Sequence, residues 1–273
     1  MTPDLTRHLP SISVIATDLD DTLLRQDGSI SDHTLDLFMG WLAAGKRLVV
    51  ATGRPPRSTR TALPPALAHV PLICYNGAVA FENDSTVFEA YIPGPTVQAI
   101  VARLLDRAPQ ARVGLEIDDQ LYLNQIPPRA LAGFEVVDLR TVFHRPAAKI
   151  ILRHSQTDLL GDALDDLTAD VQILTSTRYD VIQILPRTVN KAKALAVLAA
   201  RWGLGMQNVI AFGDDVNDVE MLDQCAIGVA VSNAVPEVLA VADHITGTPE
   251  EDGVGQVVEW LLIENGKLRM EKS

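Results

Sequence analysis

The sequence predicts an α/β protein, a doubly wound parallel-sheet core interrupted by an inserted α+β domain. Three observations point there. Continuous apolar runs such as "ISVIAT" (12–17) and "RLVVAT" (47–52) alternate with helical patterns, as in parallel strands covered on both faces. From about residue 90 the runs come instead in alternating pairs, which suit antiparallel strands with one wet face. After Pro186 the first style resumes. The expected division is a core of 1–89 and 187–273 around an insertion of 90–186.

Taken in order, "ISVIAT" is the first buried strand. The stretch 31–45 reads as a helix, with Ser31 as N-cap, Leu35, Phe38 and Leu42 as its apolar stripe, and Gly45 as its stop. "RLVVAT" and "PLICYN" (71–76) are the next strands. In the insertion a helix over 96–108 precedes strands at 112–117 and 120–125, joined through Asp118-Asp119. A strand at 149–154, a helix over 158–169 and strands at 171–176 and 179–185 complete it. The core then continues with a helix over 190–203, a strand at 208–213, a helix over 215–225 and a strand at 226–231. The tail "ENGKLRMEKS" is polar, and no internal repeat is visible.

Composition narrows the function. The 273 residues are 47% hydrophobic and 21% charged, ordinary for a soluble globular chain, and long enough for a sizeable core. A formal net charge of −12 argues against general binding to nucleic acid or an anionic membrane, but leaves room for a small anionic substrate in one basic pocket. No apolar run approaches the ~20 residues that span a bilayer. "MTPDLTRHLP" lacks the basic-then-apolar pattern of a secretion signal. Cys74 and Cys225 sit in apolar surroundings and read as reduced core residues, so the expected location is the cytoplasm. Without a signal peptide, Asn83-Asp84-Ser85 is an idle glycosylation match.

The chemistry is concentrated at strand ends, where open parallel sheets bind ligands. Asp18 and Asp20, with Asp21 beside them, follow the first strand. Thr52, Gly53 and Arg54 follow the second, Asn76 and Gly77 the third, and Gly213, Asp214 and Asp215 end the strand after the insertion. Carboxylates this close repel each other where water screens little. Either Asp18 and Asp20 lie in a solvated turn or a cation sits among them. Mg²⁺ suits an acidic, oxygen-rich pocket, and an aspartate beside a metal can also attack phosphorus.

Phosphoryl transfer further needs a cationic group. Of the six lysines, Lys191 shares the inward stripe of Leu195, Leu198 and Trp202 in the first turn of its helix, whereas Lys193 faces elsewhere. A lysine there opposes the helix dipole and is desolvated, so it requires a carboxylate or phosphate partner. Asp214 and Asp218, four apart, can aim at one site with Asn217 beside them; the alternative for Asp215 and Asp218 is an acidic helix cap. Asp21 is expected to cap its turn. Arg54 either meets substrate or pairs with a carboxylate.

These ordered elements resemble the haloacid dehalogenase (HAD) superfamily of phosphatases, whose core is Rossmann-like. Asp18-x-Asp20 with Thr22 is similar to its first motif, Thr52-Gly53 to its second, Lys191 to its third, and Gly213-Asp214-x-x-Asn217-Asp218 to its fourth. The insertion, "CYNGA" (74–78) and "NAVPEVLAVADHIT" (233–246) resemble the Cof-type branch, which carries an α/β cap. The resemblance implies that Asp18 is the nucleophile and Asp20 the general acid and base. It implies Mg²⁺ held by Asp18, the Asp20 main-chain carbonyl and Asp214, with Asp218 and Asn217 in support. Thr52 and the adjacent amide would bind the phosphoryl oxygens and Lys191 would balance their charge; Gly53, Arg54 and Asn76 are further substrate-side candidates. The segment "TLLRQDGS" corresponds to a mobile piece that shuts the site. Asp21, Ala192, Ser232 and Leu239 depart from the commoner residues of the family.

The implied function is a phosphatase for small phosphorylated metabolites, sugar phosphates by default, acting as monomer or homodimer. The nearest alternative is a sugar phosphomutase on the same Asp18. A receiver-type signalling domain fails because its acceptor aspartate belongs at the third strand, which here ends in Asn76. A non-catalytic phospho-ligand-binding protein would be expected to lack one of Asp18, Asp20, Lys191 or Asp214, and all are present. In the insertion, Arg178 and Tyr179 are candidate selectors of substrate.

Overall fold

A computed structural model describes residues 11–127, 133–167 and 169–264. They divide into two compact units: one runs to Phe88 and resumes at Asn190, the other is Glu89–Val189.

The first unit begins with β1 (Val14–Thr17), α1 (Asp32–Ala43), β2 (Arg47–Ala51), α2 (Pro56–Ala62) and β3 (Leu72–Cys74). Ser31 caps α1, its hydroxyl accepting from the Thr34 amide at 3.0 Å. The buried face of α1 is Thr34, Leu37, Phe38 and Trp41. Of the expected stripe only Phe38 is buried; Leu35 and Leu42 lie on its flanks because Trp41, the largest side chain, takes the core. A hairpin of β4 (Val79–Glu82) and β5 (Ser85–Glu89) follows, turning through Asn83 and Asp84 at φ 49° and 60°. Two residues of positive φ are what a tight hairpin turn requires.

The second unit contains α3 (Gly94–Arg107), β6 (Val113–Ile117), β7 (Gln120–Leu123), β8 (Phe134–Val136), β9 (Lys149–Leu152), α4 (Thr157–Leu160), β10 (Val171–Ser176) and β11 (Val181–Pro186). Its six-stranded sheet has the order β10-β11-β9-β6-β7-β8 and is antiparallel except for the β7–β8 pair. One face, carrying Val113, Leu115, Ile150 and Ile182, packs with Val97, Ile100 and Leu104 of α3. The expected helix over 158–169 is only the single turn α4, followed by a 3-10 turn. Gly161, at φ 49°, leaves the helical region and ends it.

The first unit then resumes with α5 (Lys191–Arg201), β12 (Val209–Gly213), α6 (Val219–Gln224), β13 (Ile227–Val231), α7 (Pro236–Val241), β14 (His244–Thr246) and α8 (Gly253–Glu264). The single helix expected over 215–225 is a 3-10 turn, Val216–Asp218, that leads into α6. The eight-stranded sheet has the order β14-β13-β12-β1-β2-β3-β4-β5, parallel from β14 through β3. Val14, Ala16, Val49, Ala211 and Ala230 pack under Leu195, Leu198, Met221 and Val238 of α5, α6 and α7, while α1 and α8 pack on each other. From β1 the chain winds one way through β2 and β3, and from β12 the other way through β13 and β14. The reversal puts a crevice beyond the carboxyl ends of β1 and β12.

Candidate active site

The first residue beyond β1 is Asp18, whose amide continues the ladder by donating to Phe212 O at 2.9 Å. The first residue beyond β12 is Asp214. Asp18 is 5% exposed, and Asp214 and Asp218 are fully buried. One carboxylate oxygen from each lies within 4.8 Å of the others. Gly213 makes this possible, because a β-carbon there would stand 2.4 Å from Asp218 Cβ. The Asp218 carboxylate closes its own turn, accepting from the amides of Asp214 and Asp215 through Oδ2.

Lys191 enters from the first turn of α5, started by Asn190, whose side chain accepts from the Lys193 amide at 2.8 Å. Its position is fixed from the β3 side by Gly77, at φ 100°: a β-carbon there would lie 2.2 Å from Asn190 O. Fully buried, Lys191 donates to Asp18 Oδ1 at 2.6 Å and Asp218 Oδ1 at 2.7 Å. Desolvation alone would lower its pKa, but the two carboxylates together more than offset this and hold it well above the usual lysine value. Asp18 behaves oppositely. Burial first, then the charges of Asp218 and Asp214, raise its pKa well above the ordinary carboxylate range despite Lys191. Three carboxylates against one ammonium leave the cluster two negative charges in excess.

Around this centre Thr22 donates to Asp214 Oδ1 at 2.7 Å. Thr52, 1% exposed, turns its hydroxyl to accept from the Arg54 amide at 3.1 Å. Gly53 packs against Asn76, whose Oδ1 would be 2.9 Å from a β-carbon at that position. Asn76 adopts φ 57° and accepts through Oδ1 from Asn217 Nδ2 at 2.8 Å. The predicted residues Asp18, Asp214, Asp218 and Lys191 therefore form one cluster, and Thr52, Gly53, Asn76 and Asn217 form a connected set. Asp20 is different: its carboxylate takes both Nε and Nη2 of Arg54, so Arg54 makes the ion pair that was one of its two readings. Asp21, at φ 54°, offers its carbonyl to Asn233 Nδ2 at 2.9 Å. Spacing had given no individual role to Thr22 or Asn233. Both carried a signal through the family resemblance, Thr22 in the first motif and Asn233 at the start of the segment 233–246.

Residues 15–258 match the haloacid dehalogenase-like hydrolase family. The chain belongs to that family. A Bacillus subtilis relative named 5-amino-6-(5-phospho-D-ribitylamino)uracil phosphatase YitU is 28% identical over 260 residues, 90% of this chain and 96% of the relative. An Enterobacter sp. (strain 638) protein named HMP-PP phosphatase is 30% identical over 239 residues, 84% and 88% of the two chains. The crystal structure of TM0651 from Thermotoga maritima superposes with a TM-score of 0.80 at 25% identity, over 91% of this chain and 97% of that one. As a HAD-family member, the chain is an enzyme of the phosphatase class.

In this HAD phosphatase the donor set fits a hard divalent cation. Asp18, Asp214 and Asp218 offer only oxygen ligands, close enough to share one ion. Asn217 Oδ1 is a buried acceptor with no hydrogen-bond partner among the described residues, so the site also retains an oxygen to spare. No described helix is long and apolar enough to cross a membrane.

Proposed function

We propose that this chain is a Mg²⁺-dependent phosphatase that hydrolyses small phosphorylated metabolites, sugar phosphates first, through an aspartyl-phosphate on Asp18. The observation that carries this reading is the net negative, oxygen-only cluster of Asp18, Asp214 and Asp218 joined to the buried Lys191. Mg²⁺, held by Asp18, the Asp20 carbonyl, Asp214 and Asp218, would neutralise the carboxylates and the phosphoryl oxygens when bound.

The chain's own residues then do the following. Lys191 and the Thr52 hydroxyl, with the neighbouring Gly53 amide, hold the phosphoryl group, and Asn76 and Asn217 line its surroundings. An Asp18 oxygen forms a bond to phosphorus as the ester P–O bond breaks, and Asp20 gives its proton to the departing alkoxide. Asp20, now a base, takes a proton from water; the hydroxide oxygen bonds to phosphorus, the Asp18–phosphorus bond breaks, and inorganic phosphate leaves. Because Arg54 engages both Asp20 oxygens, this exchange requires Asp20 to loosen that pair. The two domains have distinct tasks in this scheme: 1–89 with 187–273 carries the chemistry, and 90–186 selects the substrate.

The test is a screen of phosphorylated metabolites with and without Mg²⁺, including sugar phosphates and the compounds named for the two relatives. The expected result is Mg²⁺-dependent release of free phosphate, not an isomerised sugar phosphate. The variant Asp18→Asn is expected to lose turnover by a factor on the order of 10⁴–10⁶ while keeping its fold. Undiminished turnover in that variant refutes the assignment.

A further inference from the structure

We infer that the inserted unit carries a ligand site of its own, for a small molecule that joins an oxyanion to a flat apolar body. The inference goes beyond the hydrolytic reading and uses none of its catalytic or metal-side residues; Arg178 and Tyr179, named above as candidate substrate selectors, are the two positions it shares with that reading. The pairings Val113–Leu152 and Leu152–Ile182 bring three strand ends together. Arg112 precedes β6, Arg153 follows β9, and Arg178 and Tyr179 form the β10–β11 turn. With Ser155 and Asp180 they line a cavity of about 510 Å³, within the roughly 300–1,000 Å³ of small-molecule sites.

Its charge is unusual for this chain. Three guanidinium groups face one carboxylate, an excess of two positive charges in a protein whose formal net charge is −12. The carboxylate is already committed: Asp180 accepts from the Ser155 amide at 2.6 Å and the Ser155 hydroxyl at 3.0 Å, and lies 3.7 Å from Arg153. Arg112 has no carboxylate partner among the described residues, and its Nε is buried without a hydrogen bond. Its backbone is fixed, the amide donating to Gln156 Oε1 at 3.0 Å. A buried, unsatisfied guanidinium N–H is costly, and an oxyanion satisfies it in the planar, two-pronged geometry arginine prefers.

The apolar half adjoins it. Gly114, Leu121, Leu123, Ile151 and Val181 line a second hollow of about 230 Å³, which shares Arg112, Arg153 and Tyr179 with the first. Gly114 keeps its floor low, since a β-carbon there would press within 3.0 Å of Leu123 Cδ2 and 3.2 Å of Leu121 Cδ1. At the lip the Arg178 guanidinium lies 5.7 Å from the Tyr179 ring centroid, a planar pair suited to stacking on a ring.

The test titrates the full chain, without Mg²⁺, with the fluorescent anion 8-anilinonaphthalene-1-sulfonate. One saturable site is expected, unchanged in Asp18→Asn. Arg112→Gln should weaken it about tenfold, the loss of one charge-assisted contact, and Arg178→Gln, at an exposed turn residue, several-fold. The uncharged analogue N-phenyl-1-naphthylamine should bind more weakly and equally to all variants. Absence of saturation, equal affinity in both arginine variants, equal binding of the uncharged analogue, or loss in Asp18→Asn overturns the site. None of those results bears on phosphate release, which tests the hydrolytic reading separately.

Discussion

Each unit of the chain buries a lysine, and the two solve the same problem in opposite ways. In the parallel-sheet unit Lys191, fully buried, touches Asp18 and Asp218 at 2.6 and 2.7 Å, with Asp214 in the same cluster. In the antiparallel unit Lys149, 7% exposed, contacts Gln183 Oε1 at 3.0 Å and lies opposite Glu116, 2% exposed, in the β6–β9 ladder. One lysine sits among several carboxylates at converging strand ends, and the other faces a single glutamate of the neighbouring strand. The topologies explain the contrast. Parallel strands end on the same side, so the residues just beyond them converge, and a charge can be left unbalanced where a ligand will complete it. Antiparallel neighbours send their ends in opposite directions, so a buried charge is settled across the ladder by its own partner.

The largest effect that sharpens this comparison is expected from Lys191→Met. It leaves Asp18 and Asp218 buried without a cation, a loss on the order of 3–5 kcal/mol, read as a lower urea midpoint. Mg²⁺ should restore part of that loss, because the site then holds still more negative charge. Lys149→Met removes the cation opposite the buried Glu116 and should cost up to about 3 kcal/mol by the same rule. There the double variant Glu116→Gln/Lys149→Met should recover most of the loss, and Mg²⁺ should shift these midpoints no more than it shifts the parent's. A larger Mg²⁺ shift in the Lys149 variant than in the parent would break the distinction.

A smaller effect follows from the upward shift of the Asp18 pKa. Its folded pKa is raised, chiefly by burial, so its stabilising contribution is complete below the ordinary carboxylate pKa of ~3.9 and is lost as pH rises through the folded value. The metal-free protein should therefore gain from Asp18→Asn at neutral pH, and the gain should vanish in acid. Mg²⁺, which needs the carboxylate ionised, should bind more weakly as pH falls, at most about tenfold per pH unit for one competing proton. Thermal melts of both proteins from acid to neutral pH, with and without Mg²⁺, decide this; parallel curves would exclude the upward shift.

Much of the site was legible in the sequence because strand ends are. β1, β2 and β12 are continuous apolar runs, and the polar residues that follow them could point only into the crevice. Lys191 was legible for a related reason, since a charge on an apolar helical stripe requires a partner. What stayed hidden depended on short, backbone-led geometry. The β4–β5 hairpin shows in the sequence only as Asn83-Asp84, two residues tolerant of positive φ, between runs too brief to announce strands. Residues 215–225 carry a helical pattern, yet the Asp218 carboxylate draws the amides of Asp214 and Asp215 into a tighter turn first. The Asp20–Arg54 pair is likewise invisible, because nothing in spacing says which of several carboxylates an arginine will take.

The smallest effect isolates scaffold from site within the parallel-sheet unit. Ser31 begins α1 by accepting from the Thr34 amide at 3.0 Å, and it touches none of the cluster residues. Ser31→Ala leaves that amide at the helix start without its side-chain acceptor, which typically costs about 1 kcal/mol. The loss should appear in full in the metal-free melt and be identical with Mg²⁺ present, since α1 supplies no ligand. Phosphate release below the melting range should stay at the parental rate. A Ser31→Ala protein whose Mg²⁺ response differed from the parent's would show that the crevice depends on the helix start as well as on the strand ends, and the division between a balanced scaffold and an unbalanced site would have to be redrawn.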